Sequence, residues 1–131
     1  MPDLTRYRKD MEKFRRGAQT GRETNDNRNT CRWSIKLIAA STYAALVWAG
    51  APFPPGESRS FREIARDAEL FLIEPGYLPK RFGQWLHENV VMTDIFNADP
   101  DNMPTKTAEL LYTRGEAFFV AVDELLQQSG R

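Results

Sequence analysis

Few residues of this 131-residue chain carry side chains suited to acid–base or nucleophilic chemistry. It contains one histidine, His87, and one cysteine, Cys31. Histidine is the side chain best suited to moving a proton near neutral pH. Arg81 stands six positions before His87, and a guanidinium group can bind a phosphate through a pair of hydrogen bonds. An Arg–His pair of this kind could act on a phosphate ester, but so loose a spacing is weak evidence.

Other kinds of catalytic or cofactor site find little support. Cys31 begins a predicted helix next to Arg32, a setting that can lower the pKa of a thiol, but a papain-like pair would have to use His87 and no supporting motif is present. Ser58 and Ser60 lack a second histidine or a nucleophile elbow. One cysteine and one histidine exclude an internal disulfide and zinc-finger spacing, and no glycine-rich phosphate loop occurs. We expect no cofactor and no metal.

The composition predicts one folded domain spanning residues 1–131. Apolar residues make up 41% of the chain and aromatic residues 11%, which is typical of sequences that bury a core. No secretory signal is evident, so we expect a cytoplasmic protein. The longest apolar run, residues 37–53, contains Ser41, Thr42, Gly50 and Pro52 and is too short and polar for a membrane span. It predicts a buried central helix.

Charge is unevenly distributed along the chain although the net charge is zero. Residues 1–36 hold ten Lys or Arg against five Asp or Glu, and residues 37–131 hold eight against thirteen. A basic leading segment can meet phosphates or an acidic protein surface, whereas the acidic remainder weakens any affinity of the whole protein for nucleic acid. A solvated helix with an adjoining loop explains the same pattern without a partner, and we favour it.

Helical spacing of apolar residues predicts an all-α antiparallel bundle of about five helices. Residues 1–30 are predicted as a basic N-terminal helix plus a polar loop, and residues 31–128 as the core bundle. The glycine, threonine and asparagine of residues 17–30 indicate a loop, after which Asn29 or Thr30 caps the next helix. The expected helices span residues 4–17, 31–48, 61–71 and 79–96, and a fifth helix runs to residue 128 from a cap at Thr105 or Thr107. An extended proline-rich connector is expected at residues 50–58. Ser58 or Ser60 then caps the third helix.

Weak motifs in the second half of the chain resemble HEPN domains, in particular the branch paired with small nucleotidyltransferases. That family opens its penultimate helix with Gly-x-Leu-Pro-Lys-x-x-Gly, matched here at residues 76–83, and closes with an acidic, Phe-rich helix, matched at 108–128. In that family an Ala-rich helix carrying a tyrosine lies upstream of this motif. The segment AASTYAALVWAG, with Tyr43, lies at the corresponding place in this chain. The resemblance covers residues 35–127 and implies a helical bundle in a toxin–antitoxin or defence-type system.

The resemblance also implies a site and partners. HEPN ribonucleases use an Arg and a His with four to six residues between them, and two copies form a metal-independent site. Arg81 and His87 fit that spacing, with His87 moving a proton and Arg81 stabilising phosphate charge. Glu88 and Asn89 could orient the imidazole or could equally be exposed helix residues. The implied partners are a second copy, a nucleotidyltransferase-like protein and RNA. The chain also has several large aromatic residues for its size, and we expect its core to leave them partly uncovered, which suggests a dimer.

Three features depart from the ribonuclease pattern. Phe82 stands where a polar residue is expected, and positions 81 and 87 of a straight helix point about 120° apart. The branch's conserved Arg would fall near Thr93, where no Arg occurs, although Asp94 and Asp99 could be remnants of its polar run. We therefore favour a partner-binding protein with a degraded catalytic motif over an active ribonuclease toxin. A small phage or assembly protein with a coincidental bundle is the third alternative.

Overall fold

The computed structural model describes residues 3–52 and 60–128. Within these two ranges the chain forms five α-helices and no β-strand, which confirms the predicted all-α bundle. A short π-helical segment, Glu69–Ile73, continues the third helix, and a 3-10 turn, Pro100–Asn102, precedes the fifth. The α-helices are α1 (Thr5–Glu23), α2 (Asn27–Trp48), α3 (Phe61–Ala68), α4 (Lys80–Ala98) and α5 (Thr105–Gln127).

The predicted loop at residues 17–30 is wrong. Helix α1 continues to Glu23, and only residues 24–26 separate it from α2. Asp26 caps α2 by accepting a hydrogen bond from the Asn29 backbone N–H at 3.0 Å, so neither Asn29 nor Thr30 is the cap. The glycines that indicated a loop instead allow two helices to approach each other.

Gly17 and Gly21 lie one helical turn apart on the face of α1 that packs against α2. A Cβ atom at Gly17 would lie 2.7 Å from the Trp33 ring, and one at Gly21 would lie 2.7 Å from the backbone nitrogen of Thr30. Both distances are too short for a real Cβ contact, so glycine is required by the close approach of the helices. The α1–α2 hairpin is therefore part of the packed bundle.

Helix α2 lies at the centre of the bundle and contacts each of the other four α-helices. This confirms the predicted central helix. The main core is formed by buried side chains from all five helices and the π-helical segment. Its largest fully buried members are Met11, Leu37, Ile38, Leu46, Leu72, Phe82, Leu86, Phe118 and Val122. Helix α5 buries an apolar stripe at helical spacing, formed by Leu111, Phe118, Val122 and Leu125.

The connector before α3 lies largely outside the described residues. Ser58, one of the two predicted caps of α3, also lies outside them. The other, Ser60, caps α3 in a capping box: its hydroxyl accepts from the Glu63 backbone N–H at 3.2 Å, while the Glu63 carboxylate accepts from Ser60. Residues 69–73 leave the α-helical pattern as a π-helical segment, so the predicted helix 61–71 runs on in a different geometry. The last two helices begin at Lys80 and Thr105, each preceded by a proline at the N-cap position.

Two acidic residues of α5 bind α1. The Asp123 carboxylate accepts a hydrogen bond from Arg8 at 2.8 Å. Glu116 forms a bidentate pair with Arg15, whose Nε and Nη2 donate at 3.0 and 2.8 Å. The hydrogen bonds that Arg15 donates to the Glu116 carboxylate raise the pKa of its guanidinium. These pairs show that α1 and α5 run antiparallel, and they fix part of the basic leading segment to the acidic remainder.

Candidate functional site

Arg81 lies exposed in the first turn of α4. Its guanidinium carbon is 5.3 Å from the Phe82 ring centroid and 5.8 Å from that of Trp85. The side chain lines an open groove of about 600 Å³ between the start of α4 and the second half of α5, which we call the Arg81 groove. Glu116 and Glu124 also line it, with Val120 and Ala121 between them.

His87 is exposed and lines a different groove, of about 450 Å³, between α4 and the π-helical segment. Glu69, Glu74 and Lys80 are on the lining of this His87 groove, and Arg81 is not. The floor is tight, because a Cβ at Gly83 would lie 2.7 Å from the Glu69 carboxylate. Within one molecule, the two residues of the Arg–His pair therefore belong to separate grooves on different sides of α4.

The neighbours of His87 do not orient its imidazole. The Glu88 carboxylate accepts a hydrogen bond from Arg114 of α5 at 3.0 Å. Asn89 is completely buried, and its side-chain amide forms no hydrogen bond within the described residues. Thr93, near which the family's Arg would fall, donates its hydroxyl to the Asn89 backbone carbonyl at 2.7 Å. Each of these polar groups is thus bound elsewhere or buried, and none of these hydrogen bonds reaches His87.

Arg114 is a buried cation that the sequence analysis missed. Its side chain is 11% exposed, whereas that of its partner Glu88 is 39% exposed. The guanidinium carbon lies 5.2 Å from the Trp85 ring centroid, within the range of a cation–π contact. Nε and Nη1 make no hydrogen bond within the described residues. The available signal was spacing, since Arg114 falls three residues after Leu111 and four before Phe118, both in the apolar stripe of α5.

Cys31 is completely buried against Ile35, Phe96 and Leu111. Burial raises the pKa of its thiol to about 11, opposite to the lowering that the neighbouring Arg32 suggested. The thiolate is therefore scarce at neutral pH, which argues against a nucleophilic role.

No group of three His, Cys, Asp or Glu side chains within residues 3–52 and 60–128 is placed to hold a metal ion.

Exposed apolar side chains concentrate on the second half of the chain. No aromatic side chain in the described ranges is fully exposed, although many are only partly buried, so the suggestion of a dimer from uncovered aromatics stays a prediction. The exposed large apolar residues are aliphatic instead. Four belong to α4 and α5, and we call them the α4–α5 outer surface: Val91 (58% exposed), Ile95 (54%), Leu110 (40%) and Val120 (48%).

Comparison of the chain with protein-family models, with curated proteins and with solved structures gave no match. None of the helices in the described part of the chain combines the length and apolar character needed to cross a membrane. The site therefore has to be interpreted from its own geometry.

Proposed function

We propose that the protein is a divergent HEPN-like module that dimerises and binds a protein partner in a toxin–antitoxin or defence-type system, without ribonuclease activity of its own. The α4–α5 outer surface is the observation that carries this proposal. The biological context comes only from the resemblance around residues 76–83 and 108–128. The resemblance also suggests that the protein partner of the dimer is a nucleotidyltransferase-like protein.

Two side-chain contacts join the two helices that carry the α4–α5 outer surface. Phe82 packs on Phe118 with ring centroids 4.5 Å apart, and Glu88 binds Arg114, so the helices run antiparallel. Continued past the ion pair, this antiparallel register places Val91 of α4 and Leu110 of α5 at about the same level along the bundle. Isolated exposed aliphatic residues are common, but a cluster of them on one surface is typical of a protein interface.

The occupant that fits this surface best is a second copy of the chain. Lys80 and Arg81 lie exposed at the start of α4, and Asp94 and Asp99 lie exposed at its end. A two-fold axis through the middle of α4 would place the basic end of one copy against the acidic end of the other, around a centre of aliphatic side chains. The surface is thus complementary to itself in charge.

The dimer is tested by sedimentation equilibrium of the wild type beside a Val91→Asp/Ile95→Asp variant. We expect the wild type to sediment as a dimer at micromolar concentration. The double variant is expected to be a monomer with an unchanged circular dichroism spectrum, because a carboxylate in an apolar interface loses its hydration without gaining a partner.

Leu70→Asp provides the matched control, since Leu70 is 52% exposed but lies on the π-helical segment, away from the outer surface. This variant should remain a dimer. A monomeric wild type would overturn the dimer, and a double variant that still dimerises would assign the interface to another surface.

The absence of catalysis is tested by incubating mixed RNAs with the purified protein without added metal. We expect no cleavage, and no difference between the wild type and the Arg81→Ala and His87→Ala variants. The reason is that Arg81 and His87 line separate grooves, so one molecule does not bring this pair of side chains to the same phosphate.

Lys106→Ala is a suitable control because Lys106 is an exposed cation at the start of α5, in neither groove. Cleavage that disappears in the Arg81 and His87 variants and persists in Lys106→Ala would contradict the proposal. It would favour the alternative of an active ribonuclease whose site combines residues of two copies.

A further inference from the structure

We propose that the outer face of the α1–α2 hairpin binds single-stranded nucleic acid, with phosphates along a row of cations on α1 and a base against Trp33 of α2. This surface is distinct from both the α4–α5 outer surface and the grooves at Arg81 and His87. The inference goes beyond the proposed function and does not depend on it.

The cations of α1 form a row along its solvent side, which we call the basic stripe: Arg6, Lys9, Lys13 and Arg16. Their spacing of three, four and three residues keeps them on one face of the helix, over about 15 Å. All four are exposed, and none forms an ion pair within the described residues.

The remaining two arginines of α1's first four turns have a different role. Arg8 and Arg15 point to α5, where Asp123 and Glu116 neutralise them. The helix therefore separates its cations into a set that fixes it to the bundle and a set that faces solvent. Exposed cations without a carboxylate partner are the groups that would displace counterions from a phosphate backbone.

An aromatic pair lies beside the basic stripe. Phe14 and Trp33 stack with ring centroids 5.8 Å apart and an interplanar angle of 26°, and both remain partly exposed. The ammonium group of Lys36 lies 5.2 Å from the Trp33 ring and 5.9 Å from the Phe14 ring. Cations placed around an aromatic ring are what single-strand-binding surfaces use to hold a base and its phosphate together.

The Trp33 ring also forms one side of an open groove of about 450 Å³. Arg16, the last residue of the basic stripe, lines this groove together with Thr20 and Asn29. The groove exists because Gly17 offers no side chain where the indole packs against α1. It brings a phosphate-binding cation, polar side chains and an aromatic ring into one concave surface, which would suit a nucleotide.

The structure favours nucleic acid over an anionic membrane as the ligand. A basic helix that binds a membrane inserts its apolar face among the lipids. In α1 that face is occupied, since Met11 and Ala18 are buried in the bundle and Tyr7 packs against Tyr43 with ring centroids 5.6 Å apart. A single strand is favoured over a duplex because only an unpaired base can stack on Trp33.

The experiment is a titration of the full chain against a fluorescein-labelled oligouridylate of about 12 nucleotides, followed by fluorescence anisotropy at several salt concentrations. Four phosphate contacts predict a slope of about −2.8 for log K against log salt, so affinity should fall about 50-fold between about 50 and 200 mM salt. The R6Q/K9Q/K13Q/R16Q variant should show a slope near zero and at least a 50-fold weaker affinity at the lower salt.

The matched control is R62Q/R66Q/K80Q/K106Q, which removes the same number of exposed cations from other helices and should change affinity less than threefold. Trp33→Leu, checked for folding by circular dichroism, should weaken binding at least about tenfold with an unchanged salt slope, because stacking is not ionic. The Val91→Asp/Ile95→Asp variant should bind the oligonucleotide as the wild type does, which separates this inference from the proposed dimer.

The inference is overturned if the wild type does not bind at low salt, or if the control variant loses as much affinity as the basic-stripe variant. Tighter binding to phosphatidylserine vesicles or to a duplex of the same sequence, with the same dependence on the basic stripe, would also overturn it. Those results would identify a membrane surface or a helical duplex as the ligand.

Discussion

Replacement of Gly21 with alanine is expected to lower the free energy of unfolding by about 2 kcal/mol, and the melting temperature by about 8 °C. A Cβ at this position would lie 2.7 Å from the Thr30 backbone nitrogen and 2.9 Å from its hydroxyl oxygen. Relief requires α1 and α2 to move apart, which loosens the packing along the whole hairpin. That cost exceeds the gain of about 1 kcal/mol that alanine brings to a helix interior.

Gly115→Ala is the matched control for this measurement by urea unfolding at a fixed protein concentration. A Cβ at Gly115 would lie 3.3 Å from the end of the Leu37 side chain, which can shift at little cost. We expect a change of less than about 1 kcal/mol, because helix propensity offsets the contact. Equal stability of the Gly21→Ala and wild-type proteins would show that the two helices do not require the close approach.

The same glycines explain where prediction of the fold from sequence failed. Gly17 and Gly21 indicate a loop because glycine disfavours helix, and the Thr and Asn residues around them strengthen that indication. The missing information is tertiary: the gain from packing α1 tightly on α2 outweighs the local preference. Glycines one helical turn apart can also mark a close contact between two helices. The sequence alone did not distinguish such a contact from a turn.

Helices whose large apolar residues recur at helical spacing were predicted well. Phe82 and Leu86 of α4 are buried, as are Leu111, Phe118 and Val122 of α5. Periodicity is informative there because burying large side chains dominates the free energy of folding, so the pattern survives whatever the partner helix is. Element ends were less predictable, since caps such as Asp26 compete with neighbours of equal capping ability.

The candidate site was predictable only in part. The divergence of Arg81 and His87 follows from their separation on one helix, and the structure places them accordingly in different grooves. The partners of Arg8 and Arg15, in contrast, lie 115 and 101 residues away in the chain. No local pattern identifies such pairs, so the division of α1 into paired and exposed cations emerged only from the fold.

Loss of the Glu88 carboxylate is expected to destabilise the bundle by about 2–3 kcal/mol, more than loss of its arginine partner. Glu88→Met leaves the Arg114 cation, only 11% exposed, without an acceptor. Arg114→Met leaves a carboxylate that is 39% exposed and can be hydrated, and the methionine can still cover Trp85, so we expect about 1 kcal/mol. The order of the two effects follows from which charge is buried.

Urea unfolding of both single variants and of Glu88→Met/Arg114→Met tests this order. The double variant should be within about 1 kcal/mol of the wild type, since a buried ion pair replaced by apolar side chains of similar volume often costs nothing. Recovery of stability in the double variant would show that Glu88→Met is destabilised because the buried Arg114 cation has lost its partner. An Arg114→Met variant less stable than Glu88→Met would mean instead that the packing of the guanidinium on Trp85, not its charge, holds α4 and α5 together.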